Sequence, residues 1–482
     1  MVNDLKANIG SNTKEQLKWC SVPLSDVIFQ GNRLEASIYD VEARQARRQI
    51  ETGRYPLTTI GGIDGLATCY VGARFKRIWV KKSDFPIYQP SAITDIRPQP
   101  DGYISHLTKT NIESLRVKKG QLLMTCSGTI GKVSYVSGTL DNKIFSHDLL
   151  RIDCKHVIDR GYIYTYLKSK IGNKILLSNS YGAVITHIEP EHLVKVPIPN
   201  APEEVKRKIH DLVVQSYNLR DESNELINNA ISLFQEELCL PDMEDFVSSL
   251  NNQIAAVNTF NVRLSNLSGR MDASYHLPIV EAIISHFRRY AAEVTVVGDE
   301  RISQEVILPP RFARIYVEQE HGTAFIGGKQ IHELDPSGKK YLSNVKHKDL
   351  MDKLAIHPNI SLITRSGTVG KVALVPQHWE QWIASDHIIR VIPANDDIAG
   401  YLNVFLSSDY GCQLITHFTY GSVVDEIDEA HVRQIAIPLL KDKEVQSQIN
   451  AFALSANKKR YEAYELERQA LEIMEEEVIN AR

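Results

Sequence analysis

The chain has few cysteines. The six in 482 residues, Cys20, Cys69, Cys126, Cys154, Cys239 and Cys412, are scattered with no Cys-x-x-Cys among them. That spacing argues against a disulfide framework and against a zinc site, and leaves reduced, mostly buried thiols. Long apolar runs are missing as well. No stretch approaches the length of a membrane span, and the polar start from Met1 to Glu15 lacks the apolar centre of a signal peptide, so a cytoplasmic protein is expected. An excess of charge of one sign is also absent, with a net charge of only −4. Composition is otherwise ordinary for a soluble globular protein, at 43% apolar and 24% charged residues, in a length that accommodates two to four domains.

Signatures of catalysis are incomplete. A grip on the amino group of a flipped base needs a polar residue, two prolines and an aromatic. The nearest string, Leu308-Pro309-Pro310-Arg311, has neither end of that motif. Two Ser-Gly-Thr-x-Gly-Lys turns lack the P-loop spacing, because Cys126 and Arg365 stand where glycine is needed and Val133 and Val372 where Ser or Thr is needed. Pro100-Asp101 with Asp141-Asn142-Lys143 has a nuclease-like look that nothing in the rest of the chain repeats. Ser146-His147-Asp148 has the letters of a triad, but neighbours on a strand point to opposite faces. No catalytic residue, metal ligand or bound cofactor is expected.

What the chain does have is a duplication. Arg33-Leu34-Glu35-Ala36-Ser37 returns as Arg270-Met271-Asp272-Ala273-Ser274, and Arg74-Phe75-Lys76-Arg77-Ile78-Trp79-Val80 as Arg311-Phe312-Ala313-Arg314-Ile315-Tyr316-Val317, both 237 positions later. The offset is 239 by the next landmark, where Ser127-Gly128-Thr129-Ile130-Gly131-Lys132-Val133 matches Ser366-Gly367-Thr368-Val369-Gly370-Lys371-Val372. It then holds through Gly161-Tyr162 and Gly400-Tyr401, Tyr181-Gly182 and Tyr420-Gly421, and Val196-Pro197-Ile198-Pro199 and Ile435-Ala436-Ile437-Pro438. So long a period makes each copy a domain, not a solenoid repeat.

Charge is segregated within the copies. Thr68 to Lys132 has eleven Lys/Arg against four Asp/Glu, and Asn200 to Asp245 has four against eleven. Glu305 to Lys371, in the second copy, has ten against seven. A basic lobe on a more acidic stalk is the pattern of a polyanion-binding domain.

Short runs rich in Val, Ile, Tyr, Thr and Phe predict strands at Arg77–Val80, Gly120–Thr125, Lys132–Val136 and His147–Ile152, and the apolar spacing of Gly161–Leu177 predicts a helix. Glu203 to Leu238 contains no Gly or Pro and repeats Ile209, Leu212, Val213, Leu219, Leu226, Ile227, Ile231, Phe234 and Leu238 at helical spacing. Asp442 to Val478 does the same with Val445, Ile449, Phe452, Leu466, Ala470, Ile473 and Met474. The fold class is α+β: two homologous, sheet-rich mixed α/β domains separated by two long helices forming an antiparallel coiled coil, each helix burying its stripe on the other. Each rod is roughly 54 Å long at 1.5 Å per residue, which holds two basic heads a few tens of ångströms apart. The expected parts are a first recognition domain (1–200), a spacer helix (201–240), a linker (241–262), a second recognition domain (263–440) and a second spacer helix (441–482).

The ordered, doubled set of the Ser-Gly-Thr-x-Gly-Lys-Val turn, Gly-Tyr helix, Tyr-Gly-(Ala/Ser)-Val segment, (Val/Ile)-x-Ile-Pro strand end and long helix resembles the specificity subunit of bacterial type I restriction-modification systems. The resemblance covers the chain from Trp19 onward. One departure is visible, since Ile185-Thr186-His187-Ile188 and Val424-Asp425-Glu426-Ile427 stand where the family often has a Gln-Asn-type segment. The resemblance implies a non-catalytic subunit whose two target-recognition domains each read half of a bipartite double-stranded DNA site. It also implies helices that set the gap and dock methyltransferase subunits, two of them expected. Those partners bring S-adenosylmethionine-dependent methylation, and restriction subunits bring ATP-dependent cleavage, in phage defence. A duplicated scaffold that binds protein or carbohydrate is the competing reading, and salt-dependent affinity for duplex DNA separates the two.

Candidate DNA contacts are Arg74, Lys76, Arg77, Lys81 and Lys82 in the first copy and Arg311 and Arg314 in the second. To these are added Ser127, Thr129 and Lys132, Ser366, Thr368 and Lys371, and Tyr181 and Tyr420. The glycines of the turn serve positive φ, while its lysines and hydroxyls suit a phosphate. Base reading is expected where the copies diverge, at Asp84–Arg116 and Glu318–Asp349.

Overall fold

The computed structural model describes residues 21–29, 32, 34, 36–182, 185–251, 260–267 and 269–482. Outside them lie residues 1–20 of the expected first domain, Arg33 and Glu35 of the first repeat landmark, Ala183 and Val184, and 252–259 of the expected linker.

Each copy folds into a lobe of two four-stranded sheets. In the first lobe one sheet runs Ala67–Val71, Leu149–Cys154, Leu122–Thr125, Val133–Tyr135, with every neighbour antiparallel. The other runs Trp79–Val80, Gly102–Ile104, Pro86–Tyr88, Ile144–Phe145, its last pair parallel. Leu57–Thr59 pairs separately with Pro197–Pro199. The second lobe repeats this strand order, with Ser303–Ile307, Ile388–Pro393, Ser361–Thr364 and Val372–Leu374 in one sheet and Tyr316–Val317, Lys340–Ser343, Gly322–Ile326 and Ile383–Ala384 in the other.

The apolar run Leu122-Leu123-Met124 belongs to a strand covered on both faces. Leu122 and Met124 join the core against the helices, while Leu123 joins the core against the second sheet. At the matching strands of each lobe a buried arginine bridges the layers. Arg151 donates to the carbonyls of Ser114 and Leu115, and Arg390 to those of Leu354 and Ala384.

Four helices organise the rest: α1 (Val157–Lys168), α2 (Glu203–Glu237), α3 (Asp396–Ser407) and α4 (Lys443–Ile473). The predicted helix Gly161–Leu177 is broken at Ser169, whose hydroxyl caps a new helix, Lys170–Leu177, by accepting from Gly172 N–H. Ser408 does the same after α3. The Gly-Tyr motif explains how α1 and α3 dock. A Cβ on Gly161 would sit 2.5 Å from the Cα of His210, and one on Gly400 would sit 2.4 Å from the carbonyl oxygen of Asn450. The following tyrosines donate to the (Val/Ile)-x-Ile-Pro strand end, Tyr162 to the Pro199 carbonyl at 2.5 Å and Tyr401 to that of Pro438 at 2.7 Å.

Helices α2 and α4 pack antiparallel. Lys208 meets Glu477, Ser216 meets the Ala463 carbonyl, Glu222 meets Lys459, and Glu237 meets Asp442. The seam is more polar than the apolar stripe predicts. Ile209, Val213 and Tyr217 enter the first lobe's core together with Ala470, Met474, Val478 and Ile479. Ile227, Ala230 and Phe234 enter the second lobe's core with Ile449, Ala453 and Ala456. The two helices thus pack on each other while their apolar residues also reach into both lobe cores. At the seam Glu467, only 3% exposed, accepts from Lys168, Arg220 and the Tyr164 hydroxyl, tying α1, α2 and α4 together.

The heads do not stand apart along the rod. Ile96 N–H donates to the His332 carbonyl at 2.9 Å, Asp95 pairs as an antiparallel bridge with Glu333, and Lys132 Nζ reaches Glu333 Oε1 at 2.7 Å. The reason lies in the divergent segments, parts of which fold inward over the helix pair. Asn224 donates to the Ile96 carbonyl, Arg97 donates to Asn228, and His378, whose Nε2 lies 2.8 Å from the Leu334 carbonyl of the second segment, stacks on Tyr464 with ring centroids 4.0 Å apart.

Candidate nucleic-acid interface

The repeated turn is built the same way twice. Thr125 Oγ1 accepts from Lys132 N–H and Thr364 Oγ1 from Lys371 N–H, both at 3.0 Å, while Gly131 and Gly370 N–H close back on the carbonyls of the same threonines. Gly128 (φ 72°) and Gly367 (φ 76°) have nothing within 4 Å of a would-be Cβ. The left-handed backbone alone therefore accounts for them.

This turn is stitched to the Tyr-Gly segment. Ser127 bridges His187, Gly128 N–H donates to the Thr186 carbonyl, and Tyr181 exchanges two backbone bonds with His187. Ser366, Gly367 and Tyr420 repeat this with Glu426 and Asp425. One ledge in each lobe thus carries Ser127, Thr129 and Tyr181, or Ser366, Thr368 and Tyr420. Arginines from the repeated Arg-Phe segment stand beside it. The charge of Arg74 acts on Tyr181, Cys126 and His147, and Arg311 donates to Glu426 at 3.0 Å.

The candidates differ in availability. Arg74, Lys76, Lys81, Thr129 and Thr368 are exposed, and Lys76 and Lys81 have no carboxylate partner among the described residues. Arg77 is half-buried, its guanidinium 5.9 Å from the Phe75 ring centroid. Lys82 pairs with Glu244 at the surface, and Arg314 with the buried Asp386. The Tyr181 hydroxyl donates to Glu189 at 2.5 Å, and Ser366 Oγ is 2.7 Å from His387 Nδ1. Tyr420 is exposed. Lys132 points elsewhere, and Lys371 stays exposed. Lys132 is committed to Glu333, and Lys371 lines a cavity of about 670 Å³ between the lobes, with Asp95, Arg97, His332 and Arg460. Burial, with help from Lys371, Arg460 and Arg97, lowers the His332 pKa to about 4, so that imidazole is neutral at pH 7.

Sequence reasoning passed over Arg365, which shares Glu426 with Arg311, and the exposed aromatics Trp79 and Tyr316. The signal for the last two was present in the matched segment, 237 positions apart. Burial pushes the Cys69 thiol up to about 12 and Cys126 up to about 11, and the cysteines among the described residues are unpaired. Among the described residues no His, Cys, Asp or Glu group is arranged to hold a metal, and no helix is long and apolar enough to cross a membrane.

Residues 73–233 match the family model of the type I restriction modification DNA specificity domain. No curated protein matches. Among solved structures, the S subunit of a type I restriction-modification system from M. genitalium is 13% identical, with 89% of this chain and 96% of that chain covered and a TM-score of 0.30. The HsdS subunit from Thermoanaerobacter tengcongensis is 13% identical, covering 88% and 99%, with a TM-score of 0.26. A structure described as the basis of complex assembly and conformational transition of the type I R-M system is 14% identical, covering 88% and 97%, also at 0.26. Residues 73–233 are thus similar to the type I restriction modification DNA specificity domain, and the second lobe repeats the strand order of the first.

Proposed function

We propose that this chain is the DNA-recognition component of a type I restriction-modification complex, each lobe reading one half of a bipartite duplex site. The observation that carries this reading is the doubled ledge. Two copies of one surface, each bordered by arginines and hydroxyls, suit a target that itself has two halves. Arg74, Lys76, Arg77 and Lys81, with Thr129 and Thr368, contact the DNA backbone and fix register. The parts divide as 1–200, 201–240, 241–262, 263–440 and 441–482. The outer faces of α2 and α4 dock two methyltransferase subunits, and restriction subunits join through them. Chemistry belongs to those partners, and this chain itself is non-catalytic. Its place of work is the cytoplasm.

Exchanging residues 57–198 for the matching region of a relative tests the reading. One half of the methylated motif changes and the other stays. Both halves changing, or neither, would sink the two-reader account.

A further inference from the structure

Trp79 and Tyr316 occupy the same place in the two lobes. Each begins the outermost strand of its sheet, and each sits opposite an apolar residue of the next strand, Trp79 opposite Ile104 and Tyr316 opposite Leu342. Both are solvent-exposed, Trp79 at 50% and Tyr316 at 40%, and Ile78, Val80 and Ile315 beside them are exposed too. An unpaired strand edge with exposed apolar side chains invites self-association unless charge guards it or a partner covers it. Here cations predominate. Lys76, Arg77 and Lys81 flank Trp79, with Lys82 paired to Glu244, and Lys340 flanks Tyr316, with Arg314 paired to Asp386. An apolar strip framed by cations fits a polyanion that also offers apolar surface, which describes a duplex with its sugars, base edges and thymine methyls.

The two strips differ at one neighbouring position. Two residues back from Ile104 and Leu342 stand Gly102 and Lys340. A Cβ on Gly102 would lie 3.0 Å from Cζ3 and 3.2 Å from Cε3 of Trp79, so the glycine lets the indole lie flat on its strand. In the second lobe Lys340 Nζ stands 4.8 Å from the centroid of the Tyr316 ring, whose edge is fixed against Phe325. One lobe therefore presents a bare apolar plate, and the other a ring capped by an ammonium.

We propose that the pair Trp79/Gly102 in the first lobe and Tyr316/Lys340 in the second are specificity-determining residues, through which the lobes discriminate their half-sites. This rests on the DNA-recognition reading above. The ammonium of Lys340 is a donor for guanine O6 and N7, whereas the indole plate has no donor there and favours an apolar edge such as a thymine methyl.

The test uses the full chain assembled with its methyltransferase partners and a duplex library randomised across the site. Wild type is compared with Trp79→Tyr/Gly102→Lys and with Tyr316→Trp/Lys340→Gly. The first double variant is expected to shift base preference in the first half-site only, and the second to lose roughly 10- to 100-fold of guanine preference in the second half-site only. Lys340→Gly and Trp79→Phe alone, which add no bulk, cover the case in which a double variant fails to assemble, and smaller shifts in the same half-sites are expected of them. Variants that bind with unchanged preference in both halves overturn the proposal. So does loss of partner assembly at unchanged base preference, which would make the strip a protein contact. A wild-type complex that enriches no bipartite motif is a separate result, and it removes the DNA-recognition reading itself.

Discussion

At the scale of single residues, Glu467 decides most. Burial alone raises a carboxyl pKa, but Lys168 and Arg220 outweigh it and hold Glu467 at about 2. Its folded value lies below the ordinary 4.5, so its stabilisation is fully present above pH 4.5 and is lost as pH falls through about 2. Glu467→Gln leaves two buried cations without a counter-charge and should cost about 3–5 kcal/mol at pH 7. Urea unfolding should show the gap between variant and wild type shrinking as pH falls from 4.5 toward 2, and a gap independent of pH would mean that Glu467 is not ionised in the fold. Gly161→Val is a steric counterpart, since the branched side chain pushes α1 off α2 and should cost roughly 1–3 kcal/mol, read from the same denaturant curves. The Gly-Tyr motif was legible in the sequence because both copies needed one close approach. The inward turn of Lys132 was not, because no local pattern tells a lysine bound for a phosphate from one bound for a carboxylate 201 residues away. Arg151 and Arg390, both 1% exposed, are buried for reasons equally invisible in the local sequence.

Among the elements, α2 and α4 were visible as uninterrupted apolar periodicity, and their antiparallel course followed from the duplication. The stripe is covered by the partner helix, as expected, and by the lobes as well. Periodicity reports that a face is buried and says nothing about the neighbour that buries it. The end of α4 therefore has a specific duty. Removing residues 466–482 deletes Glu467, Ala470, Met474, Val478 and Ile479 from the first lobe's surroundings and leaves the second lobe's core residues in place. Hydrogen exchange on the truncated chain should show protection falling in Leu122–Thr125 and Leu149–Cys154 while Ser361–Thr364 stays protected. Uniform loss in both lobes would mean that the two cores unfold as one.

For the whole molecule, the direct contact between lobes changes what charge removal should do. Lys132→Ala breaks the bridge to Glu333, leaves that carboxylate buried without its cation, and should loosen the lobes, visible as a larger radius of gyration in solution scattering. The salt dependence of DNA binding should keep its slope. Replacing Arg74, Lys76 and Lys81 by Ala should instead flatten that slope by roughly one unit per lost phosphate contact. A flattened slope with Lys132→Ala would place that lysine on the DNA after all. The sequence showed two heads and a rod. The contact between heads arises from segments 92–97 and 331–334, equivalent stretches of the two copies (Ile93-Thr94-Asp95-Ile96 against Ile331-His332-Glu333-Leu334) whose likeness is too weak to announce that they meet each other, so only the assembled fold brings them together.

The end of α4 also orders events in time. The wall that completes the first lobe, residues 467–479, lies far downstream of α2, and at the usual pace of synthesis it leaves the ribosome on the order of tens of seconds later. Throughout that interval the nascent first lobe has an open apolar side, so the half of the protein made first is the half that finishes folding last.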